Sequence, residues 1–108
     1  MIPLAPFDIP PDHPAFAGHF PGHPILPGVV LLDAALHRLE IEGEIDLANC
    51  CVRSVKFLGT VGPGDRLHGE YVVLAPGSIR FTLSVRERVV LTGTVLAAPR
   101  AGARRHAP

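Results

Sequence analysis

Between Ile79 and Arg86 apolar and polar residues alternate without a break. Ile79, Phe81, Leu83 and Val85 fall on one face, and Arg80, Thr82, Ser84 and Arg86 on the other. A period of two belongs to a strand whose sheet has one buried and one wet face. Arg66 to Ala75 reads as the strand before it, joined through Ala75-Pro76-Gly77-Ser78 as a hairpin. Ala48 to Leu58 alternates more loosely around Val52, Val55 and Phe57, and Gly59 to Asp65 is a turn broken by Gly and Pro. Arg88 to Ala97 is more apolar, which predicts a more central strand. Val29 to Glu40 has a different rhythm. Its apolar residues cover nearly all sides of a helix about 18 Å long, the pattern of a buried helix. Pro27 and Gly28 mark its start, proline being tolerated in a first helical turn, and Gly43 marks its stop. The first 17 residues hold five prolines, so Leu4 to Ile9 can form at best a short edge strand, with Phe7 and Phe16 pinning this arm. The sum is an α+β chain: one long helix, then four antiparallel strands. A flat sheet cannot cover a helix that is apolar all round, so the sheet must curl around it or a second subunit must close over it.

Composition narrows the function. The chain has 108 residues, 47% of them hydrophobic, which fits a single domain over residues 1–98. The stretch 99–108, with Arg100, Arg104 and Arg105, has too little apolar content to fold and is expected to be a disordered basic tail. Ten basic residues balance ten acidic ones, which argues against a nucleic-acid partner held by bulk charge. The two cysteines, Cys50 and Cys51, are adjacent and point to opposite sides of a strand, which fits a reducing compartment and a packing role. No apolar run approaches the ~18–20 residues of a membrane span, and the first residues lack the basic and apolar regions of a signal peptide. A cytoplasmic location is expected.

Chemistry concentrates before and inside the helix. Asp33 stands among Leu31, Leu32, Ala34 and Ala35, where a buried ionised carboxylate needs a partner or stays protonated. The preceding loop holds His19 and His23 and is stiffened by Pro21, Pro24 and Pro27. Gly28 at the helix start leaves a backbone N–H open to a ligand, at the positive end of the macrodipole. His13, His19 and His23 have no Cys or carboxylate at ligand spacing, so no metal site is expected. Ser54 and Ser84 lie in strands without a nucleophile elbow, which leaves a serine hydrolase without support.

The run His19-Phe20-Pro21-Gly22-His23-Pro24-Ile25-Leu26-Pro27-Gly28-Val29, followed by Asp33, resembles the signature of the β-hydroxyacyl-ACP dehydratases. In that family the histidine of the His-Phe-Pro-Gly motif precedes a helix acid by fourteen residues, the spacing kept by His19 and Asp33. Val61-Gly62-Pro63-Gly64-Asp65 is similar to the family's turn before a long strand, and the resemblance runs from about Pro14 to Ala97. The acid is Asp, as in the branch that also isomerises the double bond, yet the chain is much shorter than that branch. His37 stands where both branches usually carry a glutamine. The compact form looks most like the short thioester dehydratases of specialised pathways such as aryl polyene clusters.

The resemblance implies a hotdog fold, a curved antiparallel sheet wrapped around one central helix. It implies dehydration of a 3-hydroxyacyl thioester, on acyl carrier protein or CoA, to the trans-2-enoyl thioester without a cofactor. His19 is then the base, Asp33 the acid, and Gly28 an oxyanion donor, with Phe20, Pro21, Gly22 and Val29 around the substrate. The family also implies a homodimer, with or without further pairing, in which the histidine of one subunit faces the acid of the other. An acidic carrier protein calls for a basic patch, for which Arg53, Lys56 and Arg66 are candidates, with Arg86 and Arg88 near them in kind. His23 and His37 are expected to be lining or surface residues. Two other readings stay open at this point: a hotdog thioesterase releasing free thiol, and a non-catalytic protein that binds acyl carrier protein.

Overall fold

Among the described residues, five strands form one antiparallel sheet in the order β1-β3-β4-β5-β2, with a single long helix inserted between β1 and β2 in the chain. The strands are β1 (Ile2–Asp8), β2 (Cys50–Phe57), β3 (Arg66–Ala75), β4 (Ser78–Val85) and β5 (Arg88–Ala97), and the helix α1 is Gly28–Ile41. The computed structural model describes residues 1–16, 25–42 and 45–97. The expected tail at 99–108 and the expected helix stop at Gly43 therefore lie outside the described residues.

The alternation in β4 does what its period requires. Ile79, Phe81, Leu83 and Val85 are buried, and the residues between them are exposed or half-buried. Leu91, Gly93 and Val95 of β5 and Leu67 and Tyr71 of β3 continue the buried face. On the outer side lie Arg80, Thr82, Thr92 and Thr94. The middle place in the sheet belongs to β4, not to the more apolar β5, which corrects the expectation drawn from composition. Much of β5's extra apolar content, such as Val89 and Leu96, is exposed instead. β5 pairs with β4 and β2, in which Val55 faces Gly93, and a bulge falls between Val52 and Ser54.

The β3–β4 hairpin turns at Pro76-Gly77, where Gly77 takes φ +78, a left-handed value open to glycine at little cost. The β4–β5 hairpin turns at Arg86-Glu87, and both of these hold positive φ, 50 and 67. β1 is the expected edge strand and contains Pro3 and Pro6, with a break in register between Leu4 and Phe7. The opposite edge, β2, has no proline and keeps Val52 exposed, with Phe57 and Leu58 half exposed.

Helix α1 is one residue longer at each end than the apolar pattern predicts. Leu31, Ala35 and Leu39, spaced by four, form its buried stripe and join the cluster made by the inward residues of the sheet. Val29, Asp33, His37 and Ile41 are exposed. Of the two coverings that an all-round apolar helix calls for, the chain's own sheet supplies one stripe only and leaves the face of Val29, Asp33, His37 and Ile41 open.

Candidate active site

Pro27 sits just before α1 with an extended backbone (φ −58, ψ 141), and its carbonyl accepts from Val30 N at 3.0 Å and Leu31 N at 3.2 Å. Proline is therefore the cap of the helix, and Gly28 its first residue. The amides of Gly28 and Val29 have no acceptor inside the helix, as at any helix N-terminus, and carry the positive end of its dipole. One residue earlier, Leu26 N donates to the carbonyl of Val61 at 2.8 Å. That bond ties the approach to the helix to the turn that follows β2.

The need for glycine at position 28 has a second source that the sequence did not reveal. A Cβ built there would lie 2.8 Å from the ring of Phe57, at the end of β2. The aromatic ring lies directly against the helix start. Beside it, Leu26, Gly28, Val29, Leu31 and Val61 line an open, largely apolar groove of about 430 Å³. Phe57 is thus a site residue that the motif did not single out. Its alternating position in β2 is the only sequence signal for it.

Asp33 lies one turn beyond Val29 on the same helix face, next along from the groove. Its side chain is 70% exposed, so the burial expected from its apolar neighbours is corrected. Those neighbours in sequence point to other sides of the helix. Among the described residues its side-chain partner is His37, one turn further on. His37 Nδ1 is 2.8 Å from the Asp33 carbonyl oxygen and 3.4 Å from Asp33 Oδ2. His19, Phe20, Pro21, Gly22 and His23 lie outside the described residues. His13 makes an edge-on contact with the Phe16 ring at 6.2 Å between centroids.

The basic candidates separate. Arg53 and Lys56 are exposed on the open edge strand β2. Arg66 is engaged: its Nε donates to Asp8 Oδ1 at 2.9 Å and its Nη2 to Oδ2 at 3.4 Å. This hydrogen bond holds the Asp8 carboxyl below the usual carboxylate range and raises Arg66. Cys50 is half-buried, and burial pushes its thiol up, away from thiolate chemistry. Among the described residues no helix is long and apolar enough to cross a membrane.

Residues 4–94 match the family model described as ApeI-like: ApeI dehydratase. The chain belongs to the ApeI-like dehydratase family. This ApeI-like chain is also similar to a 3-hydroxyacyl-[acyl-carrier-protein] dehydratase FabZ of Geobacter metallireducens, 34% identical over 93 residues, covering 78% of the chain and 61% of that relative. A FabZ of Wolbachia sp. subsp. Drosophila simulans is 33% identical over 98 residues, covering 80% of the chain and 68% of the relative. The chain therefore spans about two thirds of the length of these curated relatives.

Among solved structures, the dehydratase heterocomplex ApeI:P from Xenorhabdus doucetiae superposes with a TM-score of 0.69 at 22% identity, over 84% of this chain and 81% of that one. An uncharacterised protein from Erwinia carotovora subsp. atroseptica gives 0.68 at 26% identity, over 89% and 82%. The fold is the hotdog fold expected from the motif. Its five strands are one more than the four counted after the helix, the fifth being the proline-containing β1.

Proposed function

We propose that the chain dehydrates a 3-hydroxyacyl thioester to the trans-2-enoyl thioester, with His19 and Asp33 as its catalytic pair. The observation that supports this most directly is the position of Asp33. It stands on the open face of α1, one turn from an apolar groove at the helix N-terminus, in a chain of the ApeI-like dehydratase family. The groove suits an apolar acyl or thioester arm. The amides of Gly28 and Val29 suit the thioester oxygen as enolate character develops. His19 takes the proton from C2, the electron pair forms the C2–C3 double bond, and the C3–O bond breaks. Asp33 gives its proton to the departing hydroxyl, which leaves as water. The imidazolium and carboxylate that remain restore each other by proton transfer, so no outside reactant is consumed.

A homodimer completes this reading. Asp33 is exposed on a single chain, and the site needs water excluded around it. The exposed Val29 and Ile41 of α1 and Val52 and Leu58 on or beside β2 supply apolar surface for a second copy. Acyl carrier protein or CoA would bring the thioester, with Arg53 and Lys56 as carrier contacts and Arg66 removed from that set by Asp8.

The test is incubation with 3-hydroxyacyl thioesters on carrier protein and on CoA, following enoyl absorbance for the wild type, His19→Ala and Asp33→Asn. Enoyl formation that falls by at least about a thousandfold in both variants is expected, since each removes one half of the proton transfer. Free thiol without enoyl product would identify a thioesterase instead. Carrier binding with no turnover in the wild type would identify a non-catalytic binder.

A further inference from the structure

We infer that the outer face of the sheet holds a binding site for a small phosphoryl anion, in the hollow between Lys56 and Arg80. Ser54 and Lys56 of β2, Arg80 of β4, and Thr92, Gly93 and Thr94 of β5 line this hollow, which has a volume of about 340 Å³. Strand register assembles the set. Lys56 stands opposite Thr92, Ser54 opposite Thr94, and Thr94 opposite Arg80, so these five side chains turn outward together while Val55 and Phe81 turn inward. The hollow arises from side-chain length. Lys56 and Arg80 rise from the strands on either side of β5, and the short Thr92 and Thr94 form the floor between them.

The chemistry of this hollow is one-sided. Among the described residues neither Lys56 nor Arg80 makes an ion pair, and the hydroxyls of Ser54 and Thr94 make no hydrogen bond. The Thr92 hydroxyl donates to the Phe81 carbonyl at 3.3 Å, so its proton is committed. Glu70 is the one acid in β2 to β5. It is the diagonal neighbour of Arg80, outside the lining and unpaired with it. Arg53 adds a third cation in an adjoining hollow that shares Ser54 and Thr94. A guanidinium fork can pair two phosphoryl oxygens, an ammonium offsets a second negative charge, and the free hydroxyls donate to what remains. The size of the hollow suits a small molecule. It lies on the side of the sheet turned away from α1, so the inference stands apart from the dehydratase reading.

The experiment titrates the isotope-labelled full chain with inorganic pyrophosphate at low salt, reading binding heat and amide chemical shifts. One pyrophosphate per chain is expected, with a Kd below about 1 mM. The shifted amides should cluster at Ser54, Lys56, Arg80, Thr92 and Thr94. Arg80→Gln should weaken binding at least about tenfold and Thr94→Val about threefold, the losses of a charged and a neutral donor. Glu70→Gln should tighten it about twofold by removing the one opposing charge. A misfolded protein would not produce that gain. Arg86→Gln removes a cation outside the hollow and should leave Kd within about twofold. Equal weakening by Arg86→Gln and Arg80→Gln would overturn the proposal, because pyrophosphate would then be responding to net charge alone. Unshifted wild-type amides would also overturn it. So would acyl carrier protein shifting these amides where pyrophosphate does not, which would give the face to a protein partner.

Discussion

Arg86 and Glu87 occupy the two central positions of the β4–β5 hairpin with positive φ, the backbone of a turn that matches the twist of paired strands. For residues with a Cβ this conformation costs about 1–2 kcal/mol each, and the hairpin is held by Val85 pairing with Arg88 on either side. Glu87→Gly should therefore stabilise the protein by about 0.5–1 kcal/mol, after the extra freedom glycine brings to the unfolded chain. A higher melting temperature by calorimetry, with unchanged turnover, is the expected result. At this scale the sequence was an uneven guide. Pro76-Gly77 announced its turn, whereas Arg86-Glu87 sat unmarked between two strands because neither residue is a turn former. Asp33 stood out in the sequence through its motif spacing. Its exposure and its contact with His37 did not, because apolar neighbours in sequence say nothing about which side of a helix they occupy.

At the scale of elements, the sheet and the helix meet through a few close approaches that admit no larger residue. Gly93 in β5 is one inside the sheet: a Cβ there would lie 2.7 Å from the Phe81 ring and 2.9 Å from the backbone oxygen of Ser54, beside the β2 bulge. Ser54 cannot yield without moving a strand. Gly93→Ala should cost about 2 kcal/mol and lower Tm by about 10 °C in a thermal melt, with an unshifted melt showing that β2 gives way freely. The boundaries of β3 and β4 followed from period and turn residues. The position of β5 beside β4 and not in the middle did not, because strand order depends on which edges the other strands and the helix leave free. What covers α1 stayed open between its own sheet and a second subunit for a related reason. Leucine and valine on all sides record that a helix is covered, without recording whether its own sheet or another chain covers it.

For the whole molecule, the open face of α1, with Val29 and Ile41 at its two ends, and the edge strand β2 lead to one prediction about assembly. Light scattering on the eluting protein should return twice the chain mass. Val52→Lys, which places a charge on β2, should shift the population to the single chain and reduce turnover with it. A wild-type protein that elutes as one chain would remove the dimer from the proposal.

The two borders of the sheet are unequal, and that inequality sets a limit on growth. β1 has two prolines among its seven residues and a broken register, so it offers an incomplete row of donors to an incoming strand. β2 has no proline, so none of the amides on its outer side is missing. A sheet receptive along one border has a valency of one. Two copies that met there on a twofold axis would occupy each other's open border, and the association would terminate at that pair instead of continuing into a fibril.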